Sequence, residues 1–291
     1  MPVQVSSGDP HAVAAVVQAV YAEMFPDGDP LFVSRGFAWA VQAFRGELPG
    51  YQSADTGYHD LEHTLRETLC FARLLLGRHR AGVEPKLTRR CFELGLLAVL
   101  FHDTGYLKRE GDEEGTGAKY TLVHVHRSAE FARNFLEAQG YGEADVRAVQ
   151  NMILCTGADA QPARLPFENE QERLVGCALG TADVLAQMAA EDYLEKLPAL
   201  YAEFAEAAAY AQDPESYVAS YRSPEDLLRR TPAFWENWAK PRLEREFLGM
   251  YRFLNDPYPD GPNEYLARIE AHMARLRERF GEAAAAEGAG A

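Results

Sequence analysis

The stretch Leu94-Gly95-Leu96-Leu97-Ala98-Val99-Leu100-Phe101-His102-Asp103-Thr104-Gly105 joins a long apolar run to a neighbouring histidine and aspartate. An apolar run of this kind is typical of a buried helix. A carboxylate at the mouth of such a helix costs several kcal/mol unless it has a partner or becomes protonated. The partner that we expect for His102 and Asp103 is a metal ion.

Two more segments carry candidate ligands. In Tyr58-His59-Asp60-Leu61-Glu62-His63, the two histidines are four residues apart, which predicts that they lie about 40° apart on one helical face. In residues 175–185, Asp183 interrupts a largely apolar helical segment. We predict that one metal centre is formed by His63, His102, Asp103 and Asp183.

Small residues precede the candidate ligands at helical spacing. Ala98 and Gly95 lie one and two turns before His102, and Gly180 lies on the face of Asp183. Residues of this size let helix backbones approach closely, as a centre with ligands from three helices requires. Helix propensity alone also explains the alanines, since alanine is the best helix former.

The composition excludes several classes of protein. Of 291 residues, 47% are hydrophobic and 25% are charged, which favours one large helical domain over a disordered chain. A net charge of −15, with no run of Lys or Arg longer than a pair, argues against binding to a nucleic-acid backbone. A phosphorylated small molecule remains compatible with this charge, because bound divalent ions supply positive charge locally.

The sequence also bears on location. It shows no charged and apolar leader, and no stretch reaches the roughly 18 apolar residues of a membrane span. The four cysteines have no CxxC spacing and stand among apolar residues, so we expect buried, reduced thiols. We therefore expect a cytoplasmic protein that does not bind membranes.

Apolar residues recur at helical spacing along almost the whole chain, with almost no strand-like alternation and no internal repeat. The sequence therefore predicts an all-α fold. Glycine, proline and capping signals place the helices at about residues 11–25, 31–48, 59–79, 85–101, 128–139, 144–155, 170–197, 200–211, 223–254 and 263–280, and the helix at 223–254 is predicted to be interrupted. Residues 105–120 are predicted to form a flexible polar loop over the site, and residues 281–291 a disordered tail.

The ligand types limit the chemistry. Imidazoles and carboxylates without thiolates suit Mn²⁺, Fe²⁺, Zn²⁺, Co²⁺ or Mg²⁺ and do not select among them. One carboxylate such as Asp103 can bridge two ions, and two ions about 3.5 to 4 Å apart can hold a hydroxide as the nucleophile for in-line attack on phosphorus. We expect one or two divalent metal ions in a hydrolytic site.

The segment Tyr58-His59-Asp60-Leu61-Glu62-His63-Thr64, followed by His102-Asp103 and Asp183, resembles the signature of the HD-domain superfamily of metal-dependent phosphohydrolases. Its first part is similar to the Tyr-His-Asn-x-x-His-Ala segment of cyclic-nucleotide phosphodiesterases. The resemblance implies a single helical domain over residues 1–280, with an HD-like core at about 55–195, a helical extension at about 197–280 and additional N-terminal helices.

The resemblance also implies roles for individual residues. It makes His63, His102, Asp103 and Asp183 the ligands of the tighter metal ion, with Asp103 bridging to a second. His59 becomes the general acid that protonates the leaving oxygen. The implied substrate is a phosphomonoester or phosphodiester.

The sequence departs from the phosphodiesterase pattern at several positions. Asp60 and Thr64 replace asparagine and alanine, and Leu107 stands four residues after Asp103, where a histidine is expected. These departures weaken the expectation of a cyclic-nucleotide substrate.

Two histidines further along resemble the one that bacterial HD proteins place near the second metal. His124 and His126 are two residues apart, so a regular helix cannot turn both toward one site. We favour His126, which lies nearer to the predicted helix start, and keep His124 as the alternative.

Lys108 and Arg127, together with Arg109 and Lys119, are the basic residues nearest in sequence to the site. They are candidates for binding a substrate phosphate, and solvated loop charges are the alternative. Aromatic residues between 234 and 253 are candidates for the wall of a base-binding pocket, although at helical spacing such residues more often form a core.

Three functions remain open. The first is hydrolysis of a phosphoester of a nucleotide or a related small metabolite. The second is HD-type di-iron oxygenase chemistry, which is favoured if His124 and His126 both bind iron. The third is a non-catalytic, metal-stabilised module, which is favoured if His59 is buried away from the metal. The sequence leaves open the substrate, the native metal and the oligomeric state.

Overall fold

The structure, a computed structural model, describes residues 7–211, 213 and 216–288, with residues 282–288 described by their backbone alone. Within these residues the fold is all-α, as the sequence predicts, and the β-type pairing is limited to an isolated bridge between Tyr51 and Arg109. None of the described helices is long and apolar enough to cross a membrane.

The described α-helices are α1 (Pro10–Met24), α2 (Phe32–Phe44), α3 (Leu61–Arg80), α4 (Arg89–Phe101), α5 (His124–Ala138), α6 (Glu143–Leu154), α7 (Glu170–Met188), α8 (Tyr193–Tyr210), α9 (Pro224–Phe234), α10 (Lys240–Arg245) and α11 (Glu264–Gly288). Between α4 and α5, the chain forms 3-10 turns at Thr104–Tyr106 and Gly117–Tyr120. A π turn at Trp235–Ala239 separates α9 from α10.

Side-chain caps fix the starts of the helices that carry the candidate site. Asp60 accepts a hydrogen bond at 2.8 Å from the backbone N–H of His63 and so closes the first turn of α3. Thr88 and Asn169 cap α4 and α7 in the same way. Asp60 thus has a structural role at the start of a helix that carries candidate ligands.

Helix α4 lies at the centre of the core. Its residues from Cys91 to Phe101 are all buried, and it packs against α3, α6 and α7. A Cβ atom at Gly95 would overlap the side chain of Val175, so this glycine allows α4 to approach α7 closely. At Gly180 the nearest atom is instead Cζ of Phe247, at 2.6 Å from an added Cβ, so this glycine makes room for an aromatic ring.

Buried apolar side chains form one contiguous cluster that extends from Val13 to Leu276. Trp235 and Phe247 are among its fully buried members. These C-terminal aromatic residues therefore belong to the core, as their helical spacing indicates. The four cysteines are free and buried, in agreement with the expectation of reduced thiols.

Several helix boundaries differ from the prediction. Because Asp60 caps α3, His59 lies before this helix and does not share a helical face with His63. Helix α5 begins at His124, about one turn earlier than predicted, because the 3-10 turn at Gly117–Tyr120 leads into it. The predicted helix at residues 170–197 is divided between α7 and α8.

The remaining differences lie in the C-terminal half. Helix α8 continues through Pro198, where the prediction has a break between two helices. The interruption predicted within residues 223–254 is present, with breaks between α9 and α10 and again after α10. The predicted tail at residues 281–291 begins inside α11, which continues to Gly288. Residues 289–291 lie outside the described residues.

Candidate metal centre

Four helices and one turn bring six titratable side chains together. His63 and Glu67 lie one turn apart on α3, and Asp183 lies on α7. His102 is the C-terminal cap of α4, and Asp103 follows it directly. We call these five residues the central cluster. His124, the first residue of α5, lies at its edge.

The carboxylate of Glu67 lies between two histidines. Its Oε1 atom is 2.7 Å from Nε2 of His63, and its Oε2 atom is 2.6 Å from Nε2 of His102. The Oδ2 atom of Asp103 is 3.3 Å from Nε2 of His102 and 3.6 Å from Nε2 of His63. Both carboxylates therefore face the same small space as the two imidazoles.

These close approaches are not hydrogen bonds. Within the described residues, six buried side-chain N or O atoms lack a hydrogen-bond partner, and four of them are here: both carboxylate oxygens of Glu67, Nε2 of His102 and Oδ2 of Asp103. Buried polar atoms without partners are rare and costly in folded proteins. Their convergence on one point is the arrangement that a bound cation satisfies.

The donor atoms also meet the spacing of a metal site. One ligand atom from each of His63, Glu67, His102 and Asp183 lies within 4.8 Å of the others. Three of these residues are buried and Asp183 is partly exposed. Imidazole nitrogens and carboxylate oxygens in this number suit a divalent transition metal or Mg²⁺. The residues present therefore fit the metal ion that the sequence predicts.

Hydrogen bonds on the far side of the imidazoles orient them. Nδ1 of His102 lies 2.8 Å from the carbonyl oxygen of Val99, and Nδ1 of His124 lies 2.6 Å from that of Thr121. Both bonds leave Nε2 free to face the cluster, as in metal-binding histidines. Nε2 of His124 is 3.8 Å from Oδ1 of Asp103, so the two oxygens of this carboxylate face different histidines.

The electrostatics of the cluster are dominated by its carboxylates. Burial, together with the nearby charge of Glu67, raises the pKa of Asp183 to about 7. Burial alone would lower the pKa of His102, but the carboxylates of Asp103 and Glu67 raise it well above its ordinary value. Burial favours protonation of Asp103, but His102 outweighs this effect and holds the pKa of Asp103 below its usual range. The carboxylates of the cluster thus favour a positively charged group or ion beside them.

A second hydrogen-bond chain orients Asp183. The Tyr58 hydroxyl donates to Oε1 of Gln187 at 3.2 Å, and Nε2 of Gln187 donates to Oδ1 of Asp183 at 3.2 Å. The residue before His59 is in this way connected to the carboxylate on α7.

A family model described as Npun_R2479-like matches residues 37–250 of this sequence, a range that contains the whole central cluster. The chain belongs to the Npun_R2479-like family. A comparison with curated proteins finds no match.

The side chain of His59 is held by a residue of helix α8. Its Nδ1 atom lies 2.5 Å from Oε2 of Glu203 on α8, while Oε1 of Glu203 accepts from the backbone N–H of Tyr58 at 2.6 Å. Burial alone would lower the pKa of His59, but the Glu203 carboxylate outweighs it and raises this pKa to about 9. The centroids of the His59 and His63 rings are 5.2 Å apart. A protonated imidazole therefore lies beside the cluster.

Tyr106 fixes the planes of two histidine rings. It stacks on His59 and on His124, with 4.5 Å between ring centroids in each pair. The absence of a side chain at Gly105 lets Tyr106 come this close to His124, because a Cβ atom at Gly105 would overlap the carbonyl oxygen of His124. The N–H of Gly105 also donates to Oγ of Ser128 at 2.8 Å. The turn after the His-Asp pair is thus locked against the start of α5.

The sequence favours His126 over His124 as a residue of the site, but their positions in the structure differ from that expectation. His124 lies beside Asp103, whereas His126 is exposed. Because α5 begins at His124, both residues are helical and their side chains point about 160° apart, on nearly opposite faces of the helix. Of the predicted pair, the structure therefore places His124, and not His126, next to the cluster.

The two basic residues predicted to bind substrate have other partners. Nζ of Lys108 is 2.9 Å from Oδ2 of Asp55 and donates to the carbonyl oxygen of Gly115 at 2.8 Å. Arg127 donates to the carbonyl oxygens of Gly105 and Leu107, at 2.7 and 2.9 Å. Both side chains hold the loop between α4 and α5 in place.

Sequence reasoning missed Glu67 and Glu203. A signal for Glu67 is present, since it follows His63 by four residues and so lies on the same helical face. Glu203 has only a weak signal, an acidic residue on the buried side of α8. Its contact with His59 spans 144 residues of sequence, and no local pattern predicts that pairing.

Proposed function

We propose that this chain is an HD-type metal-dependent phosphohydrolase that cleaves a phosphomonoester or phosphodiester of a nucleotide or related small metabolite. The observation that carries the proposal is the convergence of four buried, unpartnered polar atoms from Glu67, His102 and Asp103, next to the His59–Glu203 pair. A metal site explains the first feature, and an acid beside it explains the second.

The residues suggest where metal would be held. His63, Glu67, His102 and Asp183 would hold one ion, and Asp103 would contribute to it and, with His124, to a second. A divalent ion in such a site supplies a bound water of lowered pKa and positive charge for a phosphoryl oxygen.

His59 would act as the general acid. Glu203 holds its Nδ1 atom and keeps the ring protonated, so Nε2 can donate a proton to the leaving oxygen. The stacked ring of Tyr106 fixes the plane of the imidazole and so the direction in which that proton leaves. The backbone bonds of Glu203 to Tyr58 and His59 keep the carboxylate itself in position.

Two observations bear on the alternative functions. Iron ligation by both His124 and His126 would favour the oxygenase alternative, and the exposed position of His126 gives that alternative no support. A His59 side chain far from the metal would favour the alternative of a non-catalytic module, whereas the His59 ring lies next to the ring of His63. Neither position supports the alternative that it bears on, so hydrolysis is the function that we propose.

The test combines metal analysis with a screen for phosphate release. Purified wild-type protein, Asp103→Ala and the matched control His126→Ala are analysed for bound metal and assayed on a nucleotide and phosphoester panel with Mn²⁺, Mg²⁺, Co²⁺ or Fe²⁺. We expect Asp103→Ala to lose bound metal and activity together. His126→Ala changes an exposed histidine and should keep both.

Each contrary outcome identifies a different error. Full metal content in Asp103→Ala would show that the ligand assignment is wrong. Oxygen consumption without phosphate release, in the iron-loaded wild type, would favour the oxygenase. Bound metal without either activity would favour the non-catalytic module.

A further inference from the structure

A partly enclosed cavity of about 160 Å³ lies at the C-terminal end of α3. Its lining comes from the end of α1, the last turns of α3 and the segment before α4. Arg78, one of the lining residues, follows Glu67 by about three turns of α3, which is about 16 Å along the helix. The cavity is therefore separate from the central cluster.

The Arg78 side chain is buried without a partner. Only 3% of the surface of this residue is exposed. Within the described residues, no oxygen accepts a hydrogen bond from its guanidinium and no carboxylate lies within ion-pair distance of it. The guanidinium carbon is 6.0 Å from the centroid of the Phe253 ring, at the outer limit of a cation–π contact. Buried arginines are ordinarily paired, because an uncompensated buried charge is costly.

The nitrogens of Arg78 retain access to the cavity. They are not among the fully enclosed polar atoms that lack a hydrogen-bond partner, although they have none among the described residues. Each of them therefore keeps some accessible surface, and the cavity is the space that this side chain lines.

Nearby carboxylates do not neutralise this charge. Burial lowers the pKa of Arg78, and the carboxylates of Glu84 and Glu170 oppose that effect only from beyond ion-pair distance. Oε2 of Glu84 instead accepts from the backbone N–H of Lys86 at 2.8 Å. Arg80, in the same turn of α3, differs because Glu23 accepts two hydrogen bonds from it, at 2.7 and 2.8 Å.

The rest of the lining is of two kinds. His79 and Lys86 are exposed, and Lys86 adds a second positive charge. The apolar part of the wall consists of Met24, Leu75, Val83 and Leu87. These four side chains cannot donate hydrogen bonds to the outer oxygens of an inorganic phosphate, but they offer surface to a short hydrocarbon chain.

We propose that this cavity binds a small organic carboxylate, whose charged group pairs with the Arg78 guanidinium and whose short hydrocarbon chain packs against Met24, Leu75 and Leu87. The planar guanidinium matches a carboxylate through two parallel hydrogen bonds. A cavity of about 150 Å³ holds a molecule of the size of benzene, so a ligand of about six non-hydrogen atoms fits. The site is independent of the reaction at the metal centre.

The first test measures binding of three small molecules to the purified full chain by ligand-observed NMR titration. Butyrate should bind about tenfold more tightly than acetate, because it buries two more methylene groups. Butyramide has the same size as butyrate but no charge, and its binding should be weaker by about tenfold or more.

The second test changes the guanidinium. Arg78→Met should weaken butyrate binding by about tenfold or more, and Arg78→Lys, which keeps the charge without the planar fork, should weaken it by less. The matched control Arg80→Met removes the same charge from the same turn and should keep the dissociation constant within about twofold. Arg78→Met breaks no hydrogen bond among the described residues, so its melting temperature should be unchanged or raised. If this variant fails to fold, Arg78→Lys and the three ligands on the wild type still decide the question.

A third measurement separates the cavity from the metal centre, because a carboxylate can also bind a metal ion. Asp103→Ala should bind butyrate as the wild type does, whether or not Asp103 is a metal ligand. Loss of butyrate binding in Asp103→Ala, but not in Arg78→Met, would place the carboxylate at the metal centre and overturn the proposal. Equal binding of butyrate and butyramide, tighter binding of inorganic phosphate than of butyrate, equal weakening by Arg80→Met, or no binding of butyrate at tens of millimolar would overturn it as well.

Discussion

Replacing Glu203 with glutamine separates the charge behind His59 from its position. Glutamine has nearly the same size and keeps an oxygen that can accept from the Tyr58 N–H, but it has no negative charge. In the wild type, burial acts to lower the pKa of His59, and the Glu203 carboxylate outweighs it to give about 9. Without that carboxylate, burial is opposed only by the charges of Asp103 and Glu67, so the pKa of His59 should fall toward its ordinary value of 6.5.

The size of the effect follows from these two values. At about pH 7.5, an imidazole with a pKa of about 9 is almost fully protonated, whereas one with a pKa of 6.5 is protonated to about a tenth. Only the protonated form can donate to the leaving oxygen. The kcat/KM of Glu203→Gln at this pH should therefore be lower by up to about tenfold.

The assay is the pH profile of kcat/KM for wild type and variant. Because the pKa of His59 is raised, the acid stays protonated until the pH rises through that pKa, so the basic limb of the wild-type profile should lie above that of Glu203→Gln. The expected displacement is up to about two pH units. A bound metal ion lowers the pKa of His59 in both proteins, so the difference between them is the quantity tested.

Glu206→Gln provides the matched control on the same helix. Glu206 accepts from the N–H and the hydroxyl of Thr116, at 2.5 and 2.7 Å, and has no contact of this kind with His59. Its basic limb should coincide with that of the wild type. An unshifted profile in Glu203→Gln, with metal content and melting temperature intact, would refute the assignment of Glu203 as the residue that sets the protonation of His59.

Three further predictions concern the centre and its support. His59→Ala should keep its metal but lose about 10² to 10⁴ in turnover, with a smaller loss on a nitrophenyl ester; loss of metal on analysis would make His59 a ligand. In metal-free protein the raised pKa of Asp183, about 7, destabilises the fold progressively as pH rises above its ordinary value of 3.8. Asp183→Asn should therefore stabilise the metal-free chain by about 1 to 4 kcal/mol in urea unfolding at about pH 8, and it should abolish the stabilisation by added metal. A variant that is more stable than the wild type both without and with metal would contradict this. Gly105→Ala should cost about 1 to 3 kcal/mol or more, since the new Cβ overlaps the His124 carbonyl. An added Cβ at Gly281 meets nothing within 4 Å, so Gly281→Ala is the control expected to leave the melting temperature unchanged or raised.

The sequence predicts which helical side chains meet in the central cluster because their signals are local. An apolar run that ends at His102-Asp103, and an aspartate inside an apolar helix, each indicate burial of a charged group without reference to the rest of the fold. Asp183 and His102 accordingly lie in the same cluster. The all-α class follows for the same reason, since helical periodicity is visible within a few turns.

Capping explains where the prediction for His59 fails. The i, i+4 spacing places His59 and His63 on one face only if both residues are helical, and the Asp60 cap begins the helix after His59. The two rings are nevertheless neighbours, because the segment before the cap is held by Glu203. The i, i+4 spacing thus correctly indicates that His59 and His63 are neighbours, although the two residues do not share a helix.

Tertiary contacts account for the parts of the site that sequence reasoning does not reach. The choice between His124 and His126 depends on where α5 begins, and the close approach of Gly105 to His124 decides it. Lys108 and Arg127 have the right charge and position in the sequence for phosphate binding, but loop oxygens occupy them. Side-chain commitments of this kind are set by packing and are not visible in spacing.

The arrangement of charge suggests why this fold keeps so costly a cluster at its centre. Its carboxylates and imidazoles come from α3, α7 and the end of α4, with His124 from α5, and in the absence of a cation they leave four buried polar atoms unpartnered. A cation bound there would satisfy atoms on several helices at once, so binding it stabilises the packing of those helices as well as the site itself. The aromatic stack of His59, Tyr106 and His124 joins His59 on one side to the edge of the cluster on the other. The donor atoms of the candidate metal centre, the packing of the helices and the orientation of His59 are thus coupled through the same few side chains.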